Sequence, residues 1–330
     1  MDLALLSYLI LAFGVIMYVI LDGFDLGVGI LFPFARHHAD RDLLINSIAP
    51  LWDGNETWLV LGGTLLFAAF PAAYSILLPA WYIPLIVFLF ALVFRGVAFE
   101  FRPRARRKWV WGSAFAAGSS VAAFAQGVIL GSFVQGIAVE GRAFAGGPFD
   151  WLTPFTLLTG VALATGYALL GATWLIIKTE GAVQAWCYRI ARRLMFALLF
   201  FIAAVSVWTP LADPAIAARW FGWPNIAYLS PVPVVTGVMA YALWRALQAR
   251  RERAPFALSV GLFLLSFFGL AISLWPYIVP RALTIWDAAS PPVTQLFVLV
   301  GVLVMLPIVL GYTVHTYRIF RGKASAEIHY

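Results

Sequence analysis

Apolar residues dominate nine stretches of the chain, at 5–34, 50–72, 76–101, 113–138, 153–177, 190–211, 225–248, 256–279 and 293–317, with short polar or Gly- and Pro-bearing connections between them. A helix that spans a bilayer needs about 20 mostly apolar residues, with roughly 17 to 25 tolerated. The pattern therefore predicts an all-α, polytopic membrane protein of about nine transmembrane helices. The connections are too short for a soluble domain, so residues 1–330 are expected to form one integral-membrane domain. The opening run, MDLALLSYLILAFGVIMYVI, lacks a basic n-region and is too long for a cleaved signal, which predicts that it stays as the first spanning helix.

Composition agrees with this reading: 63% of residues are hydrophobic and 11% charged, against about 45 to 50% and 25% in soluble domains. Charge then adds an orientation. Of 22 Lys and Arg residues, 18 fall in the odd-numbered connections, the helix ends that flank them and the C-terminal segment, including Arg36, Arg41, the Arg102–Lys108 run, Arg250 and Arg321. Even-numbered connections hold only Arg142, Arg219 and Arg281, and Arg95 lies within a helix. Basic residues are retained on the cytoplasmic side, which predicts an N-terminus outside and a C-terminus in the cytoplasm. The net charge of +7 is thus a topology signal spread over one leaflet and not a nucleic-acid footprint. Trp109, Trp111, Trp151, Trp208, Trp223 and Trp275 gather near predicted helix ends, where amphipathic rings suit the headgroup region. The single Cys187 allows no disulfide within the chain. Trp52-Asp53 and Trp286-Asp287 echo each other, but two residues do not establish a repeat.

Ionisable residues inside the predicted spans need a reason, because each costs about 2.5 to 3.5 kcal/mol at a helix centre. The first helix carries Asp22 and Asp25, the second begins with Asp53, Asn55 and Glu56, and the third carries Arg95 and Glu100. Asp22 with Asp25, and Asp53 with Glu56, are three apart, so each pair is expected to share a helix face. At 1.5 Å per residue, Asp25 lies about 13 Å and Arg95 about 9 Å from the cytoplasmic end, with Asp53 and Glu56 roughly 5 to 9 Å above the same surface. Gly23 and Gly27 form a GxxxG step that permits close helix approach beside Asp25. Structural roles compete with chemical ones here. Asp53 and Asn55 are suited to capping the second helix, Asp25 to an ion pair with Arg95, and Glu100 to a surface ion pair near Arg102. The guanidinium of Arg95 is expected against Asp25, Asp53 or Glu56. Together Asp25, Asp53 and Glu56, with Asp22, read as a path for protons or cations from the cytoplasm.

Histidines narrow the cofactor question. His37, His38, His315 and His329 all lie at or beyond predicted cytoplasmic helix ends, whereas membrane cytochromes hold haem b through axial ligands inside the bundle. No haem, metal or other cofactor is expected in this chain.

Four segments carry a family resemblance: LDGFDLGVG (21–29), NSIAPLWDGNETWLV (46–60), FRGVAFEFR (94–102) and LTIWDAAS (283–290). They resemble subunit II of cytochrome bd-type quinol oxidases, and the WDGN segment is highly specific. The resemblance implies a nine-helix, haem-free subunit paired with a subunit I that carries haem b and haem d, oxidises quinol and reduces oxygen to water in the bacterial inner membrane. A small single-helix subunit is compatible with it. It also implies a proton route through Asp25 and Asp53, and an apolar oxygen channel for which Trp52 and Trp58 are the candidates. Family members admit Gln at the position of Glu56. A proton-coupled secondary transporter is the alternative from a different class, because buried acids with an Arg are common there; its expected mark, broken helices in matching halves, is not evident.

Overall fold

A computed structural model describes residues 2–325. In chain order its helices are α1 (Leu3–Leu31), α2 (His38–Asn46), α3 (Trp52–Ala69), α4 (Pro71–Ala80), α5 (Tyr82–Phe101), α6 (Lys108–Gln135), α7 (Pro154–Lys178), α8 (Gly181–Ala212), α9 (Pro214–Phe221), α10 (Asn225–Leu229), α11 (Pro231–Gln248), α12 (Ala254–Leu274) and α13 (Pro292–Ile319). Among the described residues eight helices are long and apolar enough to cross a membrane, counting α10 and α11 as one. The second predicted span is occupied by α3, whose polar start dilutes its hydropathy.

Several boundaries differ from the pattern for local reasons. The second span was expected to reach 72, but α3 ends at Ala69, where Phe70 leaves helical geometry (φ −133°, ψ 58°) before Pro71. The third was expected from 76, but 76–80 belong to the separate short helix α4, and α5 begins at Tyr82 after a second break at Trp81 (φ −117°, ψ 15°). A proline disfavours helical geometry in the residue before it, so the first break falls where Pro71 dictates. The eighth span stops at Leu274 instead of continuing to 279, since 277–279 forms strand β3 (Tyr277–Val279) of a hairpin with β4 (Leu283–Thr284). A second hairpin, β1 (Val139–Glu140) with β2 (Ala143–Phe144), turns through Gly141 at φ +61°. These two small hairpins are the departures from an all-helical chain among the described residues.

The core is built around α1. It packs against α3, α6 and α7, while α5 lies against α6 and α13 crosses α3 and α1. Between membrane helices there is little hydrophobic drive, so small residues set how closely backbones approach. Gly27 does this: a Cβ there would run into the carbonyl oxygen of Tyr167 on α7, and one on Gly171 would strike Gly27 in return. The expected GxxxG contact of Gly23 and Gly27 is thus the α1–α7 crossing. By contrast α5, α8, α11 and α13 leave apolar faces exposed, with Phe90, Phe200, Val238 and Leu303 among the residues that would face lipid or another subunit.

At the end where α1 begins, polar contacts tie the elements together. Ser7 donates to Gln295 at 3.1 Å, Trp286 to Asp2 at 2.8 Å, and Arg281 pairs with Asp213 at 2.6 Å while donating to the Gln135 carbonyl at 2.7 Å. Burial pushes the Asp213 carboxyl up, but the Arg281 guanidinium and the amides of Ala215 and Ile216 outweigh it and hold it below the usual range. At the opposite end Lys178 donates to the carbonyls of Phe320 and Gly322, and Lys323 meets Glu252 at 3.3 Å. The segment after α13 is thereby fastened across the ends of α7, α8 and α12.

Candidate functional site

Asp22 and Asp25 lie one turn apart on the last third of α1, and the i, i+3 spacing points both into the bundle. Helix α5 presents Arg95 to them and α3 presents Glu56. All of Asp22, Asp25 and Arg95 is buried, at 0% exposure. One guanidinium nitrogen of Arg95, Nη1, sits 2.6 Å from Asp22 Oδ1 and 3.0 Å from Glu56 Oε1, and Nη2 lies 3.8 Å from Asp25 Oδ2. Arg95 also rests over the Phe99 ring at 6.0 Å. A planar fork with several donors suits this shared role, which a lysine's single point charge would not fill.

Asp22 is therefore the nearest partner of Arg95, ahead of the three acids expected from helix depth. Glu56 is in direct contact, Asp25 is at the edge of contact, and Asp53 is not part of the cluster. The reason is axial: Asp53 sits in the first turn of α3, about 4.5 Å nearer the helix start than Glu56, and is exposed there. Nor does Asp53 cap α3, whose N-cap is Leu51 with no side-chain cap bond.

Asn55 likewise corrects its expected capping role. It is buried, at 1% exposure, and its Nδ2 donates to Asp25 Oδ2 at 2.7 Å and to the Leu21 carbonyl at 3.3 Å. Its Oδ1 accepts from the hydroxyl of Tyr317 at 3.0 Å. One sequence signal for Asn55 existed: it stands a full turn inside α3, past the positions where a side chain can cap. Tyr317, 262 residues away, carried none.

The remaining candidates are placed apart from this cluster. Glu100 is exposed, and Arg102, its expected neighbour, instead meets Asp42 at 2.6 Å, with Lys108 on the same carboxylate at 3.3 Å. Trp52 stacks on Phe99 of α5 with centroids 4.8 Å apart, whereas the fully buried Trp58 meets Phe13 of α1 edge-on at 5.7 Å. The two rings face different helices and do not line one common wall. His37, His38 and His315 are exposed; His329 lies outside the described residues. The described histidines are therefore poorly suited to holding a haem inside the bundle.

Three carboxylates share one guanidinium, and Asn55 links one of them to a phenol. Exposure falls along a line from exposed Asp53, through Glu56 at 25% of its side chain, to Asp22 and Asp25 at 0%. Such a gradient of acids leads from the helix end into the interior.

Comparison with known proteins adds the family. A model of the cytochrome bd terminal oxidase subunit II family matches residues 3–320. Cytochrome bd-I ubiquinol oxidase subunit 2 of Escherichia coli (strain K12) is 30% identical, over 97% of this chain and 94% of its own. Cytochrome bd ubiquinol oxidase subunit 2 of Bacillus subtilis (strain 168) is 28% identical, over 97% and 96% respectively. In fold, the chain resembles one from the bd oxidase of Geobacillus thermodenitrificans, with a TM-score of 0.74 over 97% of this chain and 99% of that one, at 19% identity. A match running from the first helix to the last, through the segments that supply Asp22, Asp25, Asn55, Glu56 and Arg95, leads to one conclusion: this chain belongs to the cytochrome bd terminal oxidase subunit II family.

Proposed function

We propose that this chain is the haem-free subunit of a bd-type terminal oxidase, which oxidises quinol and reduces oxygen to water, and that its buried acids form part of the proton uptake route. The Arg95-centred cluster of Asp22, Asp25 and Glu56 carries this reading. Reducing oxygen to water consumes protons, and in a bilayer these travel only where polar groups exchange them. Asp53 stands at the mouth, Glu56 half-way, and Asp25 inside, as the exposure gradient supports.

Electron transfer from quinol to oxygen belongs to the haems of the partner, subunit I, with haem b and haem d as its expected groups. What this chain's own residues do is hold, orient and pass protons. Arg95 keeps the acids ionisable within the bundle, because a carboxylate beside a fixed positive charge is less costly in low dielectric. Asn55 donates to Asp25 and holds its carboxyl towards the cluster. In this reading α3 is the ninth spanning helix, the N-terminus lies outside, and the bacterial inner membrane is the location. The transporter alternative has no observation of its own in its favour.

Asp25→Asn keeps shape and hydrogen bonding but cannot exchange a proton. It should lower quinol oxidase turnover at least tenfold, with the haem spectrum and assembly intact. Asp53→Asn should lower it less, since an exposed mouth is more easily bypassed by water. Wild-type turnover and proton uptake in Asp25→Asn, at normal haem content, would remove the proton-route reading.

A further inference from the structure

Asn55 is held at both ends of its amide. The Leu21 carbonyl can only accept, so the nitrogen of Asn55 must face α1, where it also donates to Asp25 Oδ2 at 2.7 Å. The oxygen is left for the Tyr317 hydroxyl at 3.0 Å. The Tyr317 ring is gripped in turn, with Phe24 and Trp174 meeting it edge-on at centroid distances of 6.4 and 6.0 Å. Just beyond it, Lys178 holds the chain through the carbonyls of Phe320 and Gly322. The hydroxyl is thus aimed by packing on one side and by the fastened end of α13 on the other.

From this geometry we infer that Tyr317 is a positioning residue for Asp25, acting through Asn55 to keep an amide donor on the carboxylate. A donor directed at a carboxylate favours its ionised form over its protonated one. Without the Tyr317 hydroxyl, Asn55 Oδ1 is a buried acceptor lacking its partner, and the amide is free to tilt away from Asp25. The acid then holds its proton more tightly and releases it more slowly. Other groups also face Asp25: Asp22 from α1, Arg95 from α5 and Glu56 from α3, while Tyr167 of α7, bonded to Gln126 of α6 at 2.9 Å, bears on Asp22. None of these changes in Tyr317→Phe, but the hydroxyl itself also lies near Asp25, so the double variant with Asn55→Leu is what separates the Asn55 link from a direct effect.

This inference rests on the proton-route reading, and the experiment separates the two. Turnover is measured against pH for the whole oxidase carrying Tyr317→Phe, Asn55→Leu, both together, or Asp25→Asn, with haem content recorded for each. Tyr317→Phe is expected to assemble normally and to lower turnover about 3- to 10-fold at neutral pH. Its alkaline limb should move about half a unit to one unit towards higher pH, because the proton-loaded acid persists further. The double variant should be no worse than Asn55→Leu alone, since one residue acts through the other. An unshifted pH profile, additive losses, or failure of Tyr317→Phe to assemble despite keeping its ring would each overturn the inference, the last by making the hydroxyl a structural tie. Full turnover in Asp25→Asn would instead defeat the proton-route reading itself.

Discussion

Arg95 is the residue on which the site turns, since one guanidinium answers three carboxylates from two other helices. Replacing it with Met would leave buried acids without a positive partner, a loss of about 3 to 5 kcal/mol by the measure of broken buried ion pairs. The expected result is poor assembly of the complex, seen as lost haem signal in membranes, and Arg95→Lys should recover only part of it, because an ammonium lacks the guanidinium's fork. Normal assembly and turnover in Arg95→Met would show that the acids do not depend on it. That an arginine at this depth must meet acids was legible from helix length alone. Which acid comes first was not: Asp22 leads because of the rotation of α1 relative to α5, and Asp53 is left out because it stays exposed in the first turn of α3. Depth along a helix can be counted in residues, whereas facing direction depends on a neighbour's position.

At the scale of elements, the α1–α7 crossing decides whether the site exists, because it presses the acid-bearing turn of α1 into the bundle. Gly27 and Gly171 meet backbone to backbone there. Gly27→Ala should lower the stability of the purified complex by about 1 to 3 kcal/mol, the range for overpacked interiors, read as an earlier thermal loss of the haem spectrum. Gly269→Ala on α12, where an added Cβ meets nothing within 4 Å, should leave that temperature unchanged. Equal effects of the two would mean that the crossing is not tightly packed. GxxxG announced a close approach in the sequence, but not α7 as its partner. Likewise the apolar pattern predicted spans at 50–72 and 76–101 and did not show that the chain would break at Phe70 and insert α4 before α5 begins.

On the scale of the molecule, the chain makes sense as part of a larger assembly: long apolar faces on α5, α8, α11 and α13 remain uncovered, and the described histidines stand exposed. Expressed with its partner, it should purify in a stoichiometric complex showing haem absorption; expressed alone, it should show none. Haem b retained stoichiometrically by the isolated chain would contradict the haem-free assignment. The sequence by itself determined the membrane class, the approximate spans, the family and the presence of acids and an arginine within the bundle. Those follow from sums over local residues, since about 20 apolar side chains favour insertion whatever lies beside them. The tertiary structure alone decided that Asn55 turns inward to Asp25 and that Tyr317 of α13 reaches it from 262 residues away. A hydrogen bond forms only when donor and acceptor approach within about 3 Å at a favourable angle, and that is set by how whole helices pack, not by the segment in which either residue lies.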